Sequence, residues 1–376
     1  MKVDDPQPPG LKGEVVYFYA FDVAYELRRS DLNLLLGRPL VPHQIGISKG
    51  SPRQQLFYLP LQATLEPVKL MTPLGEAEVR RVVKVLPIGA VSITLRVPFE
   101  MDCLEDLIRF HDPAFAETVM PEHARALAEE LRIELAPLAI RPAASLGGGE
   151  DYMVFCLEAP PSGSNGSAFN SEEWFRRHRR TIAALVTQEP DGSRLSHQEA
   201  RESTSQYLSY YQSDIIVADW DAALVVDLPG EFEETLYVME LANLQLEELI
   251  AYDRIIDAAL EKSYADLLKP ARSLGRNGLL THLREVRIDL ARFSDEISNI
   301  TKFFGDWHLA RLYDAVSRRF HLADWHHTID GKLKTLDDLY EMLKQEHNHR
   351  VMLVMEASIV LMFLIDIVLL VVELVK

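Results

Sequence analysis

From Val351 to Val375 the chain reads VMLVMEASIVLMFLIDIVLLVVELV, followed by Lys376. About 25 mostly apolar residues are enough for a helix to cross a hydrocarbon core of roughly 30 Å. This stretch is therefore expected to be a transmembrane anchor, which puts residues 1–350 in water and makes the lipid bilayer the first partner. Lys344, His347, His349 and Arg350 flank it on the N-terminal side, and only Lys376 lies beyond. Basic flanks stay on the cytoplasmic side, so the soluble part is expected in the cytoplasm.

Three carboxylates interrupt the apolar run: Glu356, Asp366 and Glu373. A carboxyl inside hydrocarbon costs at least about 2.5 kcal/mol on insertion scales. At 100° per residue, Asp366 and Glu373 fall within roughly 20° of each other and Glu356 about 80° to 100° away, so all three can share one side. That side is expected to meet protein or a hydrated path rather than lipid, which implies a homo-oligomer. Glu356 and Glu373 have a blander alternative, since both lie toward the membrane surfaces. For Asp366, which sits mid-membrane, the protein-facing reading is favoured; the rival for the whole segment is a buried core helix of a soluble protein, and such helices rarely run so long.

The 376 residues allow two domains plus the anchor. A net charge of −18 argues against direct nucleic-acid binding, which draws on clustered Lys and Arg. The two cysteines, Cys103 and Cys156, both sit in apolar stretches and suggest a reducing compartment. The opening residues MKVDDPQPPG fit neither a signal peptide nor an import presequence, so insertion is expected to rely on the C-terminal segment.

An α+β fold is expected, with a polar leader over 1–13 and a mixed sheet-and-helix domain over 14–230. EVVYFYAFDVAYEL from Glu14 has the Val, Tyr and Phe density of a strand. Further strands are expected at Gln55 to Leu59, Val79 to Leu86 and Tyr152 to Leu157. Between Val91 and Val97, apolar residues alternate with Ser92, Thr94 and Arg96, the pattern of a sheet with one wet face. Helices are expected at Leu104 to Phe110 and Glu122 to Leu135. Pro160 to Asn170 reads as a surface loop, after which Ser171 can cap a helix with Glu172 and Glu173 in its first turn. DIIVADWDAALVVD suits a final hairpin.

After residue 230 the periodicity turns helical. Phe232 to Leu268 and Leu279 to Ile300 are expected to pair as a helical hairpin within a helical domain over 231–324, with a shorter helix at Leu309 to Phe320. Ile329, Leu333, Leu336, Tyr340, Leu343 and His347 then recur at helical spacing and run without a breaker into the anchor. The reading is a stalk over 325–350, continuous with an anchor over 351–375. Leu333, Leu336, Tyr340 and Leu343 are its candidate oligomer interface, in coiled-coil fashion.

The stretch NITKFFGDWHLARLYDAVSRRFHLADWHHTIDGKLKTLDDLYEMLKQEHNHRVMLVMEASIVLMFLID resembles the required-for-meiotic-nuclear-division proteins, the domain of unknown function 155, called YagE-like in bacteria. FFGDW, the basic residue Arg350 and the acidic pair Glu356 and Asp366 carry the likeness, and SYYQSDIIVADWDAALV from Ser209 supports it. The resemblance implies a membrane protein that tethers or organises partners, since eukaryotic relatives sit in the mitochondrial inner membrane and support translation there. With no import presequence, a bacterial member in the plasma membrane is expected.

His321, Asp324, His326, His327 and Asp330 form the densest polar cluster outside the anchor. His321, Asp324 and His326 are weak candidates for a metal, because the spacing matches no metal signature and adjacent histidines point about 100° apart on a helix. Asp324 as an N-cap explains the cluster more simply. Asp214, Asp219, Asp221 and Asp227 offer the carboxylates of a metal-dependent hydrolase, and turn chemistry explains them equally well. Gly147, Gly148 and Gly149 precede a strand instead of opening a helix, so they form no phosphate loop. No cofactor is called for and no catalytic residue is assigned. The expected function is a membrane-anchored, self-associating scaffold for an unknown protein partner. The alternatives are an oligomeric cation or proton pathway and a metal-dependent hydrolase.

Overall fold

The computed structural model describes residues 10–28, 32–43, 60–86, 88–159, 169–268, 288 and 307–374. Its centre is a mixed sheet. The principal strands are β1 (Leu11–Asp22), β6 (Leu61–Thr72), β7 (Gly75–Val85), β8 (Ala90–Met101), β10 (Glu150–Glu158), β12 (Ile215–Ala218) and β13 (Ala222–Asp227), with short β5 (Val41–Pro42) and β11 (Tyr207–Leu208) at the edges. The order is β11-β12-β13-β10-β1-β8-β7-β6-β5, with β10 and β13 parallel and the other pairs antiparallel. Short β2 (Ala24–Leu27) pairs with β9 (Ala139–Pro142), and β3 (Leu34–Leu35) with β4 (Arg38–Pro39). The fold is α+β, as the alternating strand and helix patterns imply.

β1 lies inside the sheet because its side chains are apolar on both faces. Val15, Tyr17, Tyr19 and Phe21 join one core with Ile93, Leu95 and Val97 of β8, and helices cover that side. These are a 3₁₀ helix (Leu104–His111), α1 (Met120–Leu135) and α2 (Ser171–Val186). Leu107, Phe110, Leu127, Leu131 and Phe175 fill the layer, and Tyr17 donates to the Phe110 carbonyl at 3.1 Å. A short α3 (His197–Glu202) follows, and the expected hairpin at Ile215 to Asp227 is β12–β13.

The face marked by Ser92, Thr94 and Arg96 is not simply wet. α4 (Glu233–Leu268) lies over it, and Ser92 and Thr94 are buried beneath. Leu244 packs on Ala20, Leu86 and Ala90, and Asn243 Nδ2 donates to the Glu150 carbonyl at 3.2 Å. α5 (Trp307–Arg319) packs against β12 on the same unit, and Phe320, just past it, meets Tyr152 edge-on at 4.9 Å. Polar strand residues end up inside because α4 brings its own polar groups to meet them.

Two local readings are corrected. Asn170, not Ser171, caps α2: its side chain accepts from the Glu173 N–H at 2.9 Å. Ser171 is instead buried and donates to the Asp214 carbonyl at 2.7 Å. Asp324 is not an N-cap either, since α6 (Leu322–Leu374) begins two residues earlier and Asp324 reaches back to His321 Nδ1 at 2.9 Å. The expected strand at Gln55 to Leu59, the loop from 160 to 168 and the FFGD residues 303–306 lie outside the described residues, as does Leu279 to Ile300 apart from helical Ile288.

By contacts the chain divides into two units, residues 1–251 with 293–325, and 252–292 with 326–376. α4 thus gives its first half to the sheet's unit and its second half to the other. Within the second unit Lys332 Nζ lies 2.7 Å from both Asp253 Oδ1 and Asp257 Oδ1, and Ile256, Ala259, Ile329, Leu336 and Leu339 are buried. α6 is a single helix of 53 residues, so the region over 325–350 runs without a break into the apolar segment.

Candidate functional site

Strand pleating puts residues two apart on one face. On the α4 side of the sheet the register sets Lys84 beside Gln62 and Ser92, Val82 beside Thr64 and Thr94, and Arg80 beside Arg96. Two cations directly opposite each other repel. Glu14 of β1 resolves this by accepting from both, from Arg80 and from Arg96 Nη1 at 3.2 Å. Arg96 also makes a two-pronged pair with Glu233 in the first turn of α4, Nη2 to Oε2 at 2.8 Å. Burial opposes the charge on Arg96, but Glu233 and then Glu14 outweigh it and hold its pKa above the ordinary value. For Glu233, burial pushes upward and the bond from Arg96 wins, so its pKa is lowered.

One helix-heptad further along α4, Glu240 is 1% exposed and forms an ion pair with buried Lys84. It also accepts from Ser92 Oγ at 2.6 Å and Thr94 Oγ1 at 3.3 Å. A buried carboxylate with a cation and two hydroxyls is satisfied, which is the condition for keeping a charge inside. Tyr237, one turn before, lies under Lys84 with the Nζ 5.7 Å from its ring centre, and its hydroxyl is raised in pKa by burial and then by Glu240.

Toward the N-terminal end of α4 the helix and sheet separate into a cleft of about 490 Å³. Its walls include His43, Gln62, Thr64, Val82, Arg80, Lys84 and Arg96, with Glu231, Glu233 and Glu234 at the helix. His43 stacks on Tyr237 at 5.0 Å, and its Nδ1 is 2.7 Å from Gln62 Oε1. A carbonyl oxygen only accepts, so Nδ1 carries the proton and Nε2 is a bare acceptor. Burial, then the charge of Lys84, lowers the pKa of His43 and favours that neutral form. His43 is 6% exposed and its Nε2 has no hydrogen-bond partner. An unmade buried hydrogen bond costs roughly 1–3 kcal/mol.

The aspartates near the hairpin do not converge. Asp214 accepts from the Tyr210 and Tyr211 N–H groups at 2.8 Å each, and Asp227 from the Leu228 N–H at 2.7 Å. Asp219 lies 3.3 Å from Arg319 Nη1. Burial raises Asp219, partly offset by Arg319, and raises Asp221. Among the described residues no group of three or more His, Cys, Asp or Glu side chains could hold a metal.

The sheet and the cleft fall in a region with relatives. The model for the N-terminal domain of uncharacterised protein MJ0711 matches residues 12–233, from β1 to the first residue of α4. The chain belongs to the MJ0711 N-terminal-domain family. The uncharacterised protein MJ0711 of Methanocaldococcus jannaschii is 22% identical over 220 residues, a match covering 58% of this chain and 65% of that protein. The chain thus spans just under two thirds of that relative. No solved structure matches the chain. Glu14, His43, Arg80, Lys84, Arg96 and Glu233 lie inside the MJ0711-type domain, while Glu234 and Glu240 lie beyond it.

Past the MJ0711-type domain, Val351–Val368 is a helix long and apolar enough to cross a membrane, and none of it is buried. Glu356 and Asp366 are exposed along it. Leu336 is 2% exposed and so already covered by its own chain, while Leu333 and Tyr340 are half-buried. The side chains of Leu343 and Glu373 lie outside the described residues. His321 pairs with Asp324, and Trp220 stacks on it at 5.5 Å. His326 is half-buried, and burial lowers its pKa.

The cleft residues were not singled out from sequence. The signal was present, since Arg80-x-Val82-x-Lys84 and Ser92-x-Thr94-x-Arg96 repeat polar groups on one strand face, and Glu233 and Glu240, seven apart, share one helix face.

Proposed function

We propose that the protein is a membrane-anchored tether that holds its MJ0711-type domain at a bilayer surface and self-associates through α6. The observation that carries this is continuity: one helix from Leu322 to Leu374 runs from packed positions such as Ile329 and Leu336 into an apolar segment with nothing of its own chain around it. Such a surface on a soluble chain needs lipid or protein cover. The basic flank from Lys344 to Arg350 favours a cytoplasmic sheet domain. The likeness of the region after Ser209 to the required-for-meiotic-nuclear-division proteins supports tethering as the role, with a bacterial plasma membrane as the proposed site.

Glu356 and Asp366 favour self-association, because neighbouring copies can share protons or polar partners that lipid does not offer. The same two residues are the basis of a second reading, an oligomeric cation or proton pathway. Crosslinking in native membranes followed by mass spectrometry tests both. Crosslinked oligomers that retain a constant protein neighbour support the tether, and uncrosslinked single chains reject both readings. A metal-dependent hydrolase has less support, since Asp214 and Asp227 are engaged by backbone N–H groups and Asp219 by Arg319.

A further inference from the structure

The cleft over β6, β7 and β8 makes no use of membrane attachment, and its composition defines what could enter it. Its walls carry Arg80, Lys84 and Arg96 against Glu231, Glu233 and Glu234. A ligand with a large net charge of either sign therefore meets as much repulsion as attraction. A phosphate-like dianion would sit against three carboxylates, and a simple amine against three cations. The inner charges are already matched, Lys84 by Glu240 and Arg96 by Glu233 and Glu14.

Charges remain at the rim. The Arg80 side chain is 56% exposed and reaches Glu14 through one of its guanidinium nitrogens, leaving several of its five N–H donors for a ligand anion. Glu231, just before α4, is exposed and lines the same cleft. Deeper in, His43 lines the cleft, with its Nδ1 held by Gln62 and its Nε2 enclosed. The volume of about 490 Å³ falls in the range of small-molecule sites and exceeds the needs of one water cluster or ion.

We propose that this cleft binds a small zwitterion of amino-acid or dipeptide size, with its carboxylate on Arg80 and its ammonium on Glu231. Recognition rests on separated charges of opposite sign, so a molecule carrying only one of them loses half of the contacts and meets unopposed like charge.

The test is saturation-transfer NMR on the full-length chain in detergent. The probes are a mixture of common free amino acids and alanine-containing dipeptides, with acetate and inorganic phosphate as anions alone and ethylamine as cation alone. At least one zwitterion should bind, about tenfold more tightly than acetate or ethylamine. Arg80→Gln and Glu231→Gln, both at exposed positions that leave the fold intact, should each weaken it by about tenfold, the worth of one charge-assisted hydrogen bond. Binding of phosphate or acetate alone, of ethylamine alone, of no probe, or of a zwitterion equally well to both variants would overturn the proposal.

Discussion

Glu240 and Asp366 are both carboxylates on long helices rich in apolar residues, and the molecule treats them in opposite ways. Glu240 is enclosed by its own chain, which supplies Lys84, Ser92 and Thr94. Asp366 stands on an exposed helix surrounded by Ile365, Ile367 and Phe363. The sheet unit encloses Glu240 with partners of its own, whereas the apolar end of α6 leaves Asp366 uncovered by its own chain. The two carboxylates mark a physical division of the chain: a sheet unit that encloses its buried charge, and a long apolar helix whose charge is exposed.

The largest effect that could break this contrast comes from removing residues 351–376. The truncated chain is expected to leave the membrane fraction entirely and stay folded. A truncated chain that still resists salt and carbonate washing would show that the sheet unit carries its own membrane attachment.

Next in size is the buried ion pair. In the truncated chain, Glu240→Ala strands the Lys84 ammonium in the interior and is expected to cost about 3–5 kcal/mol in denaturant unfolding. Replacing both, as Lys84→Met with Glu240→Leu, removes the stranded charge and should cost less than either single change. If the single change is as mild as a surface substitution, the closure of this unit does not depend on the pair.

A pH effect of similar or smaller size follows from His111. Its Nε2 lies 2.8 Å from the Leu185 carbonyl, and burial lowers its pKa to about 4, against a smaller upward pull from that bond. A histidine whose folded pKa lies below its unfolded one stabilises the neutral-pH fold. That contribution is whole above the ordinary value of 6.5 and is lost as pH falls toward about 4. Comparing the native chain with His111→Gln over that window should show a difference shrinking by up to about 3 kcal/mol at low pH. A constant difference would mean that His111 does not titrate in this window.

The smallest effect expected on the fold, and the sharpest on assembly, is at Asp366. Asp366→Asn should keep anchoring and oligomers nearly unchanged, because an amide preserves shape and hydrogen bonding. Asp366→Lys should disperse the oligomers while the sheet unit melts as before. Light scattering in mild detergent reads the first, and thermal unfolding the second.

The parts legible in sequence were those where one residue pattern permits one structure. The alternation at Val91 to Val97 could only be a half-polar strand, and DIIVADWDAALVVD forms the β12–β13 hairpin with DWD at its turn. The unbroken periodicity after Leu322 is one helix through Leu374. What was hidden depends on which element covers which face. Nothing local says that the polar face of Ser92 and Thr94 would be met by Glu240, 148 and 146 residues away. For the same reason Arg96 reads only as part of a wet strand face and His43 and Arg80 carry no local signal, and their cleft exists only once α4 lies over the sheet. Caps failed more narrowly, since Asn170 and Ser171 are equally good capping residues and the buried Asp214 carbonyl decided between them.

The central claim is that residues 351–368 lie in hydrocarbon while the sheet unit stays in water. Spin labels on single cysteines stepped along 345–374 test it most directly, in a Cys103→Ser background with Cys156 buried, reconstituted into liposomes. Relaxation by oxygen reports lipid, and relaxation by a water-soluble nickel chelate reports water. Oxygen access should peak near residue 360, with nickel access confined to the two ends. Nickel access throughout, or a 3.6-residue alternation between nickel-accessible and buried positions, would place this helix on a protein surface in water and contradict the anchor.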